Sequence, residues 1–516
     1  MPENSNRKSN ELWPRRLIHV GDELTNPRLV ETSDLGEHQQ PRYTTLSHCW
    51  GTSGIPDGGK TTAETIDKRA SGIDLETLPR TFRDAIDVTR RLGFQYLWID
   101  ALCLIQGSKT DWEEEGEKMG AIYSNSTITL AAESSIDSQC GLFTNNVGPD
   151  EDLDSPTPVT NVLSDGREST LIFRSSDSRS LKTSNAHLQT RAWALQERVL
   201  SPRILHFFDV GILWECRHHY EIWHEPSANI LMEQYGYATL DELEQVRKII
   251  TDHPFDLPRW VLYRPWFRLI VPEYTSRKLT FRSDTLPAIS SIARALQKQT
   301  NSTYLAGLFA EDIAFGLTWH PVTRKARGEV IEAQVIGKPR PSWSWASYDT
   351  PCACTDIRTS PLKSRITLQS HQIDLAGSDP YGQVLGGRLH IRGRVLQGRH
   401  VPGDHHYAGE VSLYLRRDGT VKSRHWNSLP GQSSLFESDA AIEDNTSEII
   451  TGTVCLLLCS AEGLDYFLAL NKVEEPNVFE RQSMFFCRLS TNGVGESNEE
   501  WMDWLEYGDE EDIVLI

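Results

Sequence analysis

The chain lacks any apolar run long enough to cross a bilayer. Its longest, near "TVCLLLCSA", is far shorter than the roughly 20 residues a spanning helix needs. The opening "MPENSNRKSNELWPRRL" has no apolar core of the kind a signal peptide carries. Basic charge is also short: 52 Lys and Arg stand against 72 Asp and Glu, for a formal net charge of -20. An acidic surface repels phosphate backbones, so nucleic acid is not an expected partner. Cysteine is sparse. Nine are spread over positions 49, 103, 140, 216, 352, 354, 455, 459 and 487, without the spacing of a disulfide framework. No repeat of fixed period appears, which argues against a propeller or helical array. These absences lead to the expectation of a soluble, cytoplasmic protein with reduced thiols and no membrane span.

What is present is tryptophan: 15 residues in 516, in a chain with 38% hydrophobic content. That length allows two or three domains with their own cores. Several indoles are expected to be buried with their N–H groups paired.

Residues 1–40 read as a polar extension. An ordered α/β domain follows over 41–216. "YTTLSHCW" reads as a buried strand. "LPRTFRDAIDVTRRLG" reads as a helix with Leu78, Phe82, Ile86 and Leu92 near one face, Thr77 as N-cap and Gly93 as stop. "QYLWID" is a second strand, with Asp100 at its C-terminal end. "DWEEEGEKMGAIYSNS" is a second helix, with Trp112, Met119, Ile122 and Tyr123 on one side. "TITLAA" is a third strand. The strand–helix alternation predicts a parallel sheet flanked by helices. A mobile insertion rich in Asp, Ser and Pro is expected over about 144–168. Residues 217–338 read as mostly helical and 339–516 as β-rich, with loops at "HHYAGE" and "FESDAAIEDNTSE".

Several patterns carry possible chemistry. "GIPDGGKT", from Gly54 to Thr61, spells a phosphate-binding loop. The strand before it stops too early and "TTAETIDKRASG" is a poor helix, so a plain surface loop competes with that reading. His48 and Cys49 adjoin on a strand and so point to opposite faces, which suits two core residues better than a nucleophile–base pair. Cys352 and Cys354, and separately Cys216, His218, His219 and His224, lack zinc spacing, so no metal site is assigned. Asp100 sits where ligands bind in open α/β sheets, with Gln106 shortly after it. It is equally placed to cap the next turn or to pair with a buried Arg. In "RAWALQER", Trp193 and Glu197 are four apart and share a helical face. An adjacent indole desolvates a carboxyl and raises its pKa. The competing role is an ion pair with Arg191 or Arg198.

Taken in order, "YTTLSHCWG", "LPRTFRDAIDVTRRLGFQYLWIDALCLIQ", "DWEEEGEKMGAIYSNSTITLAA", "RAWALQERVLSPRILHF" and "LWEC" resemble the HET domain of fungal heterokaryon incompatibility proteins. "YTSRKLTFRSDTLPAISSIA", "YLAGLFAEDIAFGLTWH" and "PSWSWASYDTP" resemble downstream parts of full-length members, so the likeness covers about 40 to 350. His48 stands where the family usually has an aromatic residue. "LCLIQG" lacks the acidic residue that often follows the Gln, and the insertion spreads the third and fourth blocks. The segment holding "GIPDGGKT" is one the family does not hold constant.

The resemblance implies a role in programmed cell death during nonself recognition, exerted through a protein partner or self-association. It also implies a TIR-like fold. By analogy with TIR domains that cleave NAD, Glu197 would be the catalytic carboxylate, with Ser47, Trp50, Asp100, Gln106 and Trp193 lining the site. NAD would then be a substrate, with no bound cofactor and no metal.

Overall fold

The computed structural model describes residues 13–22, 24–35, 41–143, 157–162, 168–173, 186–209, 211–216, 220–223, 240–251, 258–322, 325–326, 329–330, 340–354, 362–402, 409–417, 420–428, 435–438, 453–461, 464–487 and 510–516. They divide into two compact units, 1–248 and 249–516. The insertion expected over 144–168 lies outside the described residues, except for strand residues that pair 157–162 with 168–173. Most of "HHYAGE" and of "FESDAAIEDNTSE" also lies outside them, while Gly409 and Glu410 open a strand.

The first unit is built on an eight-stranded sheet. Its strands are β1 (Arg16–His19), β2 (Arg28–Glu31), β3 (Tyr43–Ser47), β4 (Tyr96–Trp98), β5 (Ile128–Ala132), β6 (Arg203–Phe208), β7 (Gly211–Cys216) and β8 (Tyr220–Trp223). Across the sheet they run β8-β7-β6-β5-β3-β4-β1-β2. The four central strands, β6, β5, β3 and β4, are parallel. The two pairs outside them are antiparallel. The sheet is therefore mixed, which corrects the expectation of a parallel one. Every residue of β3 and β5 is buried, as strands covered on both faces must be.

β1 and β2 come from the segment read as a polar extension. The polar reading was misled by Arg16, which is 1% exposed. Its guanidinium donates to the Cys103 carbonyl at 2.7 Å and to Asp111 at 2.5 Å. A paired arginine inside a strand leaves no apolar alternation to read.

The helices of this unit include α1 (Ile66–Ser71), α2 (Arg80–Arg91), α3 (Lys109–Gly116), α4 (Met119–Asn125), α5 (Ala192–Leu200) and α6 (Leu240–Thr251). α2 buries Phe82, Ala85 and Ile86 and begins after Pro79, not Thr77. Leu78 is buried but Leu92 is 40% exposed, because the helix has already ended. Gly93, with φ +79, turns the chain away as expected of a helix stop.

The single helix expected from "DWEEEGEKMGAIYSNS" is two. α3 turns carboxylates inward: Asp111 holds Arg16, and Glu115 accepts from the Arg15 backbone N–H at 2.9 Å and from Lys118 at 2.8 Å. Trp112 is left 44% exposed, away from buried Met119, Ile122 and Tyr123.

The second unit holds helices over Arg259–Pro265, Val271–Thr275 and Ser290–Thr300, with a π-type turn at Trp266–Ile270 between the first two. Trp266, Trp319, Trp343 and Trp345 are all fully buried. Their N–H groups find the carbonyls of Gly307, Trp343, Gly387 and Gly307 respectively, at 2.8 to 3.4 Å. This is the pairing that buried indoles require. In the first unit the buried Trp98 has no partner for its N–H among the described residues.

The β-rich region contains a closed ring of five strands: β9 (Val384–Pro402), β10 (Thr453–Ala461), β11 (Leu464–Lys472), β12 (Val478–Cys487) and β13 (Glu510–Leu515). β9 closes it by pairing with β13 through Leu389–Arg394 and then with β10 through Val395–Gln397. Closure removes the exposed edges of these strands. Among the described residues, no helix is long and apolar enough to cross a membrane.

Candidate functional site

Parallel strands place their C-terminal ends along one edge of the sheet. Here that edge collects Ser47 at the end of β3, Asp100 just beyond β4 and Glu133 just beyond β5. The chain goes from β3 to β4 on one side, then crosses back to β5 on the other. Such a reversal between neighbouring strands opens the crevice where α/β sheets bind ligands. α5, which precedes β6 and packs against α4, carries Trp193 and Glu197.

Ser47 Oγ donates directly to Glu197 Oε2. Glu197 is 4% exposed. Burial is the main influence on its carboxyl and pushes the pKa up, and the nearby Asp100 charge adds to this. Arg191 and the hydrogen bonds from Ser47 and Tyr123 oppose the rise without cancelling it. The Tyr123 hydroxyl also donates to the Leu46 carbonyl at 3.2 Å. Beneath them lies a hydroxyl ladder. Ser201 donates to the Glu197 carbonyl at 2.6 Å, pairs with Thr129 at 2.6 Å, and Thr129 pairs with Thr45 at 2.7 Å. Of the two ion-pair partners considered for Glu197, Arg191 acts on it electrostatically. Arg198 does not serve, because it pairs with Glu215.

Trp50 and Asp100 form the second pair. The indole N–H donates to Asp100 Oδ2 at 3.0 Å, and Asp100 Oδ1 accepts from the Ala101 N–H at 2.7 Å. Asp100 therefore opens the helical turn Asp100–Cys103 and does not end a strand. His48 Nδ1 lies 3.9 Å from Asp100 Oδ1. Burial lowers the His48 pKa to about 4, so it is neutral near pH 7, and Arg191 donates to its carbonyl. His48 and Cys49 are both buried, beyond the end of β3. Gly51, at φ +79, turns the chain where a Cβ would meet the Asp137 side chain at 2.5 Å.

The remaining expected residues sit further out. The Gln106 amide donates to the carbonyls of Asp100 and Leu104, both at 3.3 Å, and the residue lines a cleft of about 300 Å³ with Ser108, Lys109 and Trp112. Trp193 is partly buried, and its ring meets Trp112 edge-on at 6.0 Å. The structure thus joins Ser47 to Glu197 and Trp50 to Asp100, with the Asp100 charge linking the pairs.

Sequence reasoning missed a buried polar cluster of this unit. His206, 1% exposed, bonds Glu133 through Nδ1 at 2.6 Å and Glu215 through Nε2 at 2.8 Å. Glu215 also meets Arg198 at 3.1 Å and Arg247 of α6 at 2.7 Å. Gln189 donates to Glu133 at 2.8 Å. Burial alone would lower the His206 pKa, but the bonds to Glu133 and Glu215 and their charges raise it. Burial would raise that of Glu215, but the two guanidiniums and His206 hold it well below the usual range. The available signal was one titratable residue within or at the end of each of three apolar runs, "TLAAE", "ILHFF" and "GILWEC".

Gly54–Thr61 does not have the geometry of a phosphate-binding loop. A short turn, Asp57–Gly59, occupies it, and α1 begins only at Ile66. The Thr61 hydroxyl is fully buried and donates to the Leu102 carbonyl at 2.7 Å, so it faces the core. Cys352 and Cys354 lie on a strand paired with Trp319–Pro321. His218, His219 and His224 lie outside the described residues. Among the described residues, no three His, Cys, Asp or Glu side chains are grouped to hold a metal ion.

The family model described as Heterokaryon incompatibility protein (HET) matches residues 43–197. The match begins at the first residue of β3 and ends at Glu197 itself. It supports the resemblance read from the sequence over that span. No curated protein and no solved structure gives a significant match to the chain.

Proposed function

We propose that the chain is an effector or regulator of programmed cell death in fungal heterokaryon incompatibility, working through a protein partner or self-association. The observation that carries this is the family match over 43–197, which spans the central strands β3, β4 and β5 and both residue pairs at their ends. Burial of Glu197 favours a role in which this edge is held closed until a partner engages. The test is expression in a fungal host beside a strain carrying the cognate partner. Arrested growth or altered fusion outcome is expected. Normal growth and fusion with the partner present would overturn the proposal.

A second reading rests on one observation, a desolvated carboxyl at the ligand-binding edge of the sheet. In it the α/β unit is TIR-like and Glu197 cleaves the nicotinamide–ribose bond of NAD. That reaction passes through an oxocarbenium-like state, and an adjacent carboxylate stabilises its positive charge. Nicotinamide leaves as a neutral group, so one carboxylate suffices. Glu197 must be ionised and uncovered to act, which makes assembly the activating event. Purified protein at low and high concentration is incubated with NAD, with Glu197→Ala alongside. Nicotinamide release confined to the assembled wild type is expected. No release from an assembled, folded sample would sink the reading.

A further inference from the structure

The second unit contains a cleft with no part in the readings above. It is bounded by residues 274–285 and 345–351 and encloses about 360 Å³. Small-molecule sites span about 300–1,000 Å³. Its lining carries three cations, Arg277, Lys278 and Arg282, against one carboxylate, Asp349. On a chain with net charge -20, a cationic cleft is a local reversal of sign that draws anions.

The cations differ in how free they are. Arg277 is tied to Glu273 at 2.8 Å. Lys278 is exposed and has no partner among the described residues. Arg282 pairs with Asp349, but the two side chains are 47% and 38% exposed, so the pair is weakly held. A further guanidinium supports the site: Arg340 donates to Thr285 Oγ1 at 3.1 Å, to the Ala346 carbonyl at 2.7 Å and to the Arg282 carbonyl. Burial, and then the like charge of Arg282, lowers the Arg340 pKa. Thr350, also in the lining, has a buried hydroxyl with no hydrogen-bond partner among the described residues. Such a group is unfavourable unless something supplies one.

We propose that this cleft binds the phosphate group of a small phosphorylated molecule. Lys278 and Arg282 neutralise the anion, and the Thr350 hydroxyl, uncovered as the adjacent Asp349 moves aside, donates to one of its oxygens. Two cations beside one cleft gain more from a doubly charged phosphate than from a singly charged carboxylate. Asp349 holds the Arg282 guanidinium, and the ligand displaces it.

The test is calorimetric titration of the full chain with inorganic pyrophosphate and, separately, with AMP. Saturable binding of either at one site per chain is expected, weakening as salt is raised. Pyrophosphate binding locates recognition in the phosphate groups. Binding of AMP alone adds a contribution from the organic part. Lys278→Ala and Arg282→Ala are each expected to weaken binding by about tenfold or more. Asp349→Asn removes the competing carboxylate and is expected to tighten it several-fold, a gain that misfolding cannot imitate. Absence of binding to both wild type and Asp349→Asn at millimolar probe would overturn the proposal. So would affinity unchanged in Lys278→Ala and Arg282→Ala.

Discussion

Ser47 and Glu197, 150 residues apart, meet in a direct hydrogen bond inside the protein. One ends the first parallel strand and the other lies in the helix before the last. Their contact lies at the sheet edge that also carries Asp100, and it opposes the rise that burial gives the Glu197 pKa.

Burial holds the Glu197 pKa above its unfolded value. A raised pKa means that its contribution to stability is fully present below the unfolded pKa, about 4.3, and is lost as pH rises through the folded one. Glu197→Gln keeps an acceptor for Ser47 and cannot ionise. Its melting temperature is expected to match wild type below the unfolded pKa, to exceed it increasingly as pH rises from there through the folded pKa, and to stay above it by a constant margin beyond. Parallel melting profiles from pH 4 to 8 would show that Glu197 ionises freely.

Glu215 is shared by His206, Arg198 and Arg247, so its loss takes a buried acceptor from two guanidiniums and an imidazole at once. Glu215→Ala is expected to cost about 3–5 kcal/mol in urea unfolding. The folded pKa of Glu215 is depressed. Its stabilisation is present above the unfolded pKa and fades as pH falls through the folded one. The gap between wild type and variant should therefore narrow in acid. A loss under about 1 kcal/mol at pH 7 would mean that the cluster is hydrated or rearranges freely.

The phosphate-loop spelling makes opposite demands on two adjacent residues. If the loop is only a surface turn, Lys60→Ala leaves stability within about 0.5 kcal/mol and does not change magnesium–nucleotide binding. Thr61→Val loses a buried hydrogen bond and costs about 1 kcal/mol. Nucleotide affinity that falls in Lys60→Ala would restore the discarded reading.

Gly307 is expected to be the least replaceable glycine of the second unit. Its φ is +98, a Cβ there would lie 2.6 Å from Trp345 Nε1, and its carbonyl accepts from both Trp266 and Trp345. Gly307→Ala should cost more than about 2 kcal/mol, from backbone strain together with displacement of an indole. A melting temperature equal to wild type would show that the indole has room to move.

Sequence alone determined the α/β order from Tyr43 to Ala132, the β-rich end, and the burial of Phe82, Ile86, Met119, Ile122 and Tyr123. Apolar periodicity reports which side chains leave water, and these elements bury apolar faces. It was silent where buried faces are charged. Arg16 hid β1, and Asp111 and Glu115 made two helices read as one. Tertiary structure alone decided the antiparallel flanks of the sheet, because strand direction depends on how the chain returns and leaves no mark on a strand's own residues. It also decided that Glu197 meets Ser47 while its neighbour Arg198 turns to Glu215. Charges side by side in sequence carry no record of which partner packing will bring within a few ångströms.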